Sequence, residues 1–218
     1  PHTDRVLLKI DNIAEAGDPT PPLPRWRSRL DDELLSNDVF GLVNRAVAHR
    51  PSVIPAVNRL TSRVLSARTY ADVSHRVLCT PRTVRFTESE YAVPRDALVP
   101  VLTQLRRWVD ASGEGLPFPV EVRVAAADDT WLSTGYEREN AYIAVHQYYR
   151  MDNRAYFAAF EAIVAEHAGR PHWGKLHSLD AERLRALYPR FGDFLAVRDR
   201  LDPDRVFGND YLTRVLGP

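Results

Sequence analysis

The sequence predicts an α+β fold, a mostly antiparallel sheet with helices packed on one face. Two observations carry that expectation. Segments that alternate apolar and polar residues at period two recur along the chain, as in VEVRV (Val120–Val124) and VRFTESEYAV (Val84–Val93). Segments with apolar residues at helical spacing lie between them, so the order runs β, helices, β, α, β, β, α, β, helices.

The elements follow in order. Arg5–Ile10, with Val6, Leu7, Leu8 and Ile10, is expected to be a strand. AGDPTPPLP (Ala16–Pro24) is a loop, because its prolines deny the chain backbone donors. From Arg25 to His49 the apolar spacing is helical, with a break expected at Ser36–Asp38 that divides it into two helices. Pro51 suits a helix start, and Val53–Leu65 continues it. Ala67–Arg82 is a long irregular connection. The strand Val84–Val93 places Phe86, Glu88 and Glu90 on one face, and Pro94 ends it. Arg95–Ala111 is an amphipathic helix through Leu98, Val101, Leu102, Leu105 and Val109. The strand at Val120–Val124 sets Glu121 beside Arg123, and AYIAVHQYYR (Ala141–Arg150) sets His146 beside Tyr148. Between them lies a loop, Asp128–Asn140. Asp152–His167 is a helix that Asp152 or Asn153 caps and Gly169 stops. Ala181–Arg200 is helical with an interruption at Pro189, and a last short helix is expected at Asp210–Leu216.

Composition excludes several classes. The chain carries 29 basic and 29 acidic residues, so its zero net charge argues against nucleic acid or an anionic membrane as partner. Lys9 and Lys175 are the only lysines, and the scattered arginines do not build a phosphate-binding patch. Cys79 is the single cysteine, so no internal disulfide forms; in RVLCTPR it has no neighbouring base and is expected as a small buried hydrophobe. No apolar run reaches the ~18 residues of a membrane span, and a cytoplasmic location is expected. No phosphate-binding glycine loop occurs, and no metal-ligand spacing: His172 and His177 straddle Lys175. Glu121, Arg123, His146, Tyr148 and Lys175 on neighbouring strands would form a polar floor, which a set of purely structural ion pairs explains as well.

The segments PVEVRVAAADDTWLS, AVHQYYR, RPHWGKLH and LDPDRVFGNDYL resemble the C-terminal half of sugar-lactone and alditol oxidases. The closest resemblance is to the D-arabinono-1,4-lactone and L-gulonolactone oxidases and dehydrogenases, of the vanillyl-alcohol-oxidase type. It covers essentially the whole chain. PHTDRVLLKI resembles the strand that opens the substrate (cap) domain of that family, and SHRVLCTPRTVRFTESEYAVPRD the segment before that domain's second half. The resemblance implies a cap domain at 1–178 and a helical tail at 179–218 that docks on an N-terminal FAD-binding domain absent from this chain. FAD would be bound mainly by that domain, and the chain alone would be inactive. Substrate would be a sugar lactone or a polyol, giving hydride to flavin. The resemblance further implies Glu121, Arg123 and Lys175 as catalytic, His146 and Tyr148 as substrate-binding, and His172, Asn209 and Tyr211 as cofactor-binding, with Trp173 as packing. Two alternatives stay open: an alditol oxidase, and a non-catalytic module that binds sugar acids. Without its covering domain the sheet face is expected to self-associate.

Overall fold

In the computed structural model the described residues are 1–15, 17–64, 67–79 and 82–218; the side chains of 25, 28, 30–33, 36 and 64 are also left undescribed. The expected start of the loop at Ala16, the Leu30 and Ser36 side chains, the helix end at Leu65 and the Thr80–Pro81 part of the connection therefore lie outside the described residues. The chain divides into two compact units. One comprises Pro1–Phe86, Glu114–Pro117 and Tyr148–Met151. The other comprises Thr87–Gly113, Phe118–Gln147 and Asp152–Pro218.

The first unit is helical. A short helix α1 (Arg25–Ser28) widens into π-type turns over Arg29–Val39 and tightens again in α2 (Phe40–Ala48). The expected break at Ser36–Asp38 is absent: Asn37 sits inside the wide turns, buried, and accepts from the Thr83 amide at 2.8 Å. Pro51 opens a 3-10 turn (Pro51–Val53) that leads into α3 (Ile54–Val64), as a residue without an N–H suits a first turn. Asn58 of α3 donates to the Leu116 carbonyl at 2.8 Å, which ties the 114–117 segment to this unit. The connection expected to be irregular contains a five-residue helix, α4 (Ser74–Leu78). Cys79 caps it and is exposed, not buried, because α4 turns no residue into a core. The strand expected at Arg5–Ile10 is also absent. Those residues join no ladder among the described residues, and Val6 and Leu8 stand 90% and 76% exposed. Alternation marks a segment that can be a strand, but a ladder needs a second backbone to bond.

The second unit carries the sheet, which has helices packed against it in the expected α+β manner. Its strands are β1 (Phe86–Pro94), β2 (Glu121–Ala125), β3 (Asn140–Tyr148) and β4 (Arg170–Pro171), in the spatial order β2-β3-β1-β4. β2 runs antiparallel to β3 and β4 antiparallel to β1. After β1, a 3-10 turn at Arg95–Ala97 enters α5 (Leu98–Ser112), which buries Val101, Leu105 and Val109. Its companion α6 (Arg154–Ala165) packs on α5 through Trp108 and Tyr156, whose rings stack at 5.8 Å. Phe160 of α6 meets Tyr91 of β1 edge-on at 5.7 Å, so this helix covers the sheet face that carries Tyr91. At the start of α6 the Asp152 carboxylate takes the Arg154 amide at 2.9 Å, while Asn153 donates instead to Thr87. At its end Gly169 is required by close approach: a Cβ there would lie 2.8 Å from the Val164 carbonyl oxygen. Three helices close the chain: α7 (Ala181–Leu187), α8 (Phe191–Leu201) and α9 (Asp210–Leu216). They belong to the same compact unit as the strands.

Candidate functional site

The sheet face opposite Tyr91 carries charge. On β1 the even-numbered residues Glu88 and Glu90 point to it, because successive strand side chains alternate. Pairing of Glu121 with Ala144 and of Arg123 with Tyr142 puts the β2 pair on the same side as His146 of β3. The register therefore delivers residues from three strands to one place. A fourth contribution comes from the turn after β4. His172 donates its amide to the Glu90 carbonyl at 2.9 Å, and Leu176 donates to the Glu88 carbonyl at 3.0 Å. The chain between them leaves the sheet and returns, closed by the Lys175 amide on the His172 carbonyl at 3.0 Å. That turn aims the Lys175 side chain back over β1.

The contacts are ionic. Glu88 Oε2 accepts from the Lys175 ammonium, and Glu88 Oε1 faces His146 Nε2 at 3.2 Å. Glu90 Oε1 accepts from the Arg123 guanidinium at 2.6 Å, and Glu121 stands 3.9 Å from Arg123 Nε. Burial is graded. The Glu90 side chain is 2% exposed and Glu88 12%, whereas Lys175 is 30% exposed and Arg123 54%. Two anchored carboxylates thus lie beneath two cations that reach solvent. Glu90 Oε2 is buried without a hydrogen-bond partner among the described residues. The His146 ring stacks on Phe118 at 6.2 Å, with Nδ1 3.3 Å from the Pro119 carbonyl oxygen.

The structure places Glu121, Arg123, His146 and Lys175 on one face. Glu88 and Glu90 are the members that sequence reasoning missed. Their signal was present, since two carboxylates at i and i+2 amid TESEYAV share a strand face, but nothing in the sequence said which cations they would meet. Tyr148 ends β3 in the first unit, buried, with its ring against Tyr149 at 4.9 Å. His172 is exposed, and its Nδ1 accepts from the Gly174 amide at 3.1 Å. Asn209 caps α9 by accepting from the Leu212 amide at 2.9 Å. Tyr211 donates to the Trp173 carbonyl at 2.5 Å and lies 3.1 Å from His177 Nε2, so the tail supports the lysine turn from behind. Trp173 packs on Tyr188 at 5.3 Å and donates to the Leu132 carbonyl at 2.9 Å.

A second layer stiffens this turn. Burial opposes the charge of Glu161, but hydrogen bonds from Ser178 and Tyr91 outweigh it and hold the carboxyl below its ordinary range. Burial and the nearby Arg214 push His177 down to about 4, with Glu161 pulling the other way, so it packs as a neutral ring. Arg170 is buried, and its guanidinium donates to the carbonyls of Leu187, Thr134 and Tyr136 at 3.0, 3.1 and 2.9 Å. It thereby fixes the β2–β3 loop and the end of α7 to β4.

Among the described residues no group of three His, Cys, Asp or Glu side chains is placed to hold a metal ion, and no helix is long and apolar enough to cross a membrane.

Comparison with known proteins follows the same lines. The family profile described as D-arabinono-1,4-lactone oxidase matches residues 1–215. The chain is 45% identical over 224 residues to the L-gulono-1,4-lactone dehydrogenase of Mycobacterium tuberculosis, covering all of this chain and 50% of that protein. It is 33% identical over 177 residues to the L-gulonolactone oxidase of Scyliorhinus torazame, covering 76% of this chain and 39% of that protein. An alditol oxidase of Streptomyces is 29% identical over 195 residues, covering 88% of this chain and 46% of that protein. The chain spans about half the length of the curated relatives it matches.

Proposed function

The chain belongs to the D-arabinono-1,4-lactone oxidase family, and on that premise we propose that it is the substrate domain of an FAD-dependent oxidoreductase acting on a sugar lactone. In this reading residues 1–178 form the cap over the reacting centre, and 179–218 form the tail that meets a flavin-binding domain elsewhere in the protein. The observation that supports it is the charged face on which Glu121, Arg123, His146 and Lys175 converge. Such a face fits a reduced flavin beside a polyhydroxylated substrate. Two cations with exposed ends offset negative charge, and Glu121, its side chain 46% exposed, accepts from hydroxyls.

FAD, when bound, supplies the hydride acceptor. The residues of this chain do the rest. Arg123 presents a planar fork of donors to substrate oxygens, and Glu90 holds that fork at 2.6 Å with Glu121 3.9 Å away. Lys175 would place a compact positive charge beside the reacting hydroxyl oxygen, so negative charge that builds on that oxygen would meet charge already in position. His146 lines the substrate side. His172, Asn209 and Tyr211 are assigned to the flavin side, Asn209 and Tyr211 by holding α9 and the lysine turn in place.

The test is flavin reduction in the complete enzyme, followed by stopped-flow bleaching with L-gulono-1,4-lactone. Lys175→Met and Arg123→Met should each slow reduction about a hundredfold at saturating substrate, the usual cost of one preorganised charge-stabilising group. Lys9→Met is the control. Among the described residues Lys9 makes a surface pair with Asp11 at 3.2 Å, and such pairs contribute little. Reduction of Lys175→Met at the wild-type rate would remove Lys175 from the site. Reduction by xylitol but by no lactone would replace the lactone by a polyol, as the similarity to an alditol oxidase allows.

A further inference from the structure

We propose that Glu88 is a positioning residue of this site: its one carboxylate holds both the Lys175 ammonium and the His146 imidazole, and so sets where the remaining lysine donors point. This rests on the functional reading above and adds to it a residue that neither strand periodicity nor family membership assigns.

The argument starts from the occupancy of the two oxygens. Oε2 accepts a hydrogen bond from the Lys175 ammonium, and Oε1 lies 3.2 Å from His146 Nε2. Both oxygens are engaged and the side chain is only 12% exposed, so Glu88 acts through its neighbours. Glu90 differs: only Oε1 is engaged, by Arg123, and Oε2 has no partner among the described residues. Lys175 needs such an anchor more than Arg123 does. An ammonium on a four-carbon stem is a mobile point charge, whereas a guanidinium is already a rigid fork. The Glu88 side chain is 12% exposed, which lowers the screening of its contact with the lysine. Its own backbone is fixed from the same turn, because its carbonyl accepts the Leu176 amide at 3.0 Å. Residues 88 and 175 are therefore locked together both through the main chain and through side chains. His146 is walled in by Phe118 and by the Pro119 carbonyl. It thereby limits how far the Glu88 carboxylate can rotate.

Two consequences have opposite signs. Neutralising Glu88 frees the lysine, which slows the reaction that needs it in place. The same change leaves the lysine charge without its counterion, which strengthens binding of an anion at the face. A residue that served packing alone would weaken both.

The experiment is a double-mutant cycle in the complete enzyme with Glu88→Gln, Lys175→Met and the pair. Flavin reduction is followed by stopped flow, and D-gluconate binding by calorimetry. We expect Glu88→Gln to slow reduction about tenfold and to bind D-gluconate about tenfold more tightly, within the range of coupling between groups in direct contact. In the Lys175→Met background Glu88→Gln should slow reduction far less than it does in the wild-type enzyme. Glu88→Asp, which keeps the charge one methylene further back, should slow reduction while leaving D-gluconate affinity as in wild type, and it carries the test if the Gln variant does not fold. Equal slowing by Glu88→Gln in both backgrounds, weaker D-gluconate binding, or a wild-type rate in both position-88 variants would overturn the proposal alone. A wild-type rate in Lys175→Met would overturn the functional reading beneath it.

Discussion

Replacing Arg123 with Met removes the hydrogen-bond donor to a buried carboxylate. Glu90 is 2% exposed and receives Arg123 at 2.6 Å on Oε1, while its other oxygen has no partner among the described residues. After the substitution neither oxygen has a donor there, and the charge remains out of water. Breaking one side of a buried ion pair costs ~3–5 kcal/mol, since the surviving charge keeps its desolvation penalty and loses its compensation. Arg123 is itself 54% exposed, which places the expected loss at the lower end, about 3 kcal/mol. With a slope of about 2 kcal/mol per molar urea, the unfolding midpoint of the complete protein should fall by about 1.5 M. The slope itself should stay constant if the native state keeps its compactness. Adding Glu90→Gln to Arg123→Met removes the stranded charge and should restore most of the loss, to within about 1 kcal/mol of wild type. Urea titration followed by tryptophan fluorescence reads all three proteins. An Arg123→Met midpoint equal to wild type, or no recovery in the double variant, would refute the claim that Arg123 is what makes a buried Glu90 tolerable.

Arg170→Met should destabilise by about 3 kcal/mol or more, because three carbonyls lose one charged donor at once. Arg170→Lys should recover little, since an ammonium lacks the fork; thermal unfolding checks both. Burial and Arg214 hold His177 at about 4 against an ordinary 6.5, with Glu161 partly opposing them. The unfolded chain therefore takes up a proton that the folded chain refuses. This contribution to stability is intact above 6.5 and is lost progressively as pH falls toward 4. His177→Gln should flatten that part of the stability profile, measured as urea midpoints at neutral and at acidic pH. Gly169→Ala should cost ~1–3 kcal/mol by overpacking, as its Cβ would lie 2.8 Å from the Val164 carbonyl oxygen and 2.9 Å from the Val164 Cβ; loss of thermal stability in the single variant checks it.

Much of the second unit was legible before any coordinate. Alternation in VEVRV marks β2, the Tyr, Ile and Val content of AYIAVHQY marks β3, and the apolar stripe of Leu98, Val101, Leu105 and Val109 marks α5. Both periodic signals are local, because side-chain direction follows from residue number along one element. The same logic misled at Arg5–Ile10, where apolar residues stand exposed and unladdered. It misled again at Ser36–Asp38, where polar residues that resembled a break are carried inside wide helical turns.

The sequence by itself determined which side chains share a strand face, so Glu121 with Arg123 and Glu88 with Glu90 were pairs from the start. It also held the motifs that place the chain in its family. Only the tertiary structure decided that Glu88 meets Lys175 and that Glu90 meets Arg123. Those contacts depend on the strand order β2-β3-β1-β4 and on the turn that brings residue 175 back over β1. The two contacts join residues 33 and 87 positions apart in the chain. Periodicity within one segment carries no information about its neighbour, so the counterions of the site came into view only once the sheet was assembled.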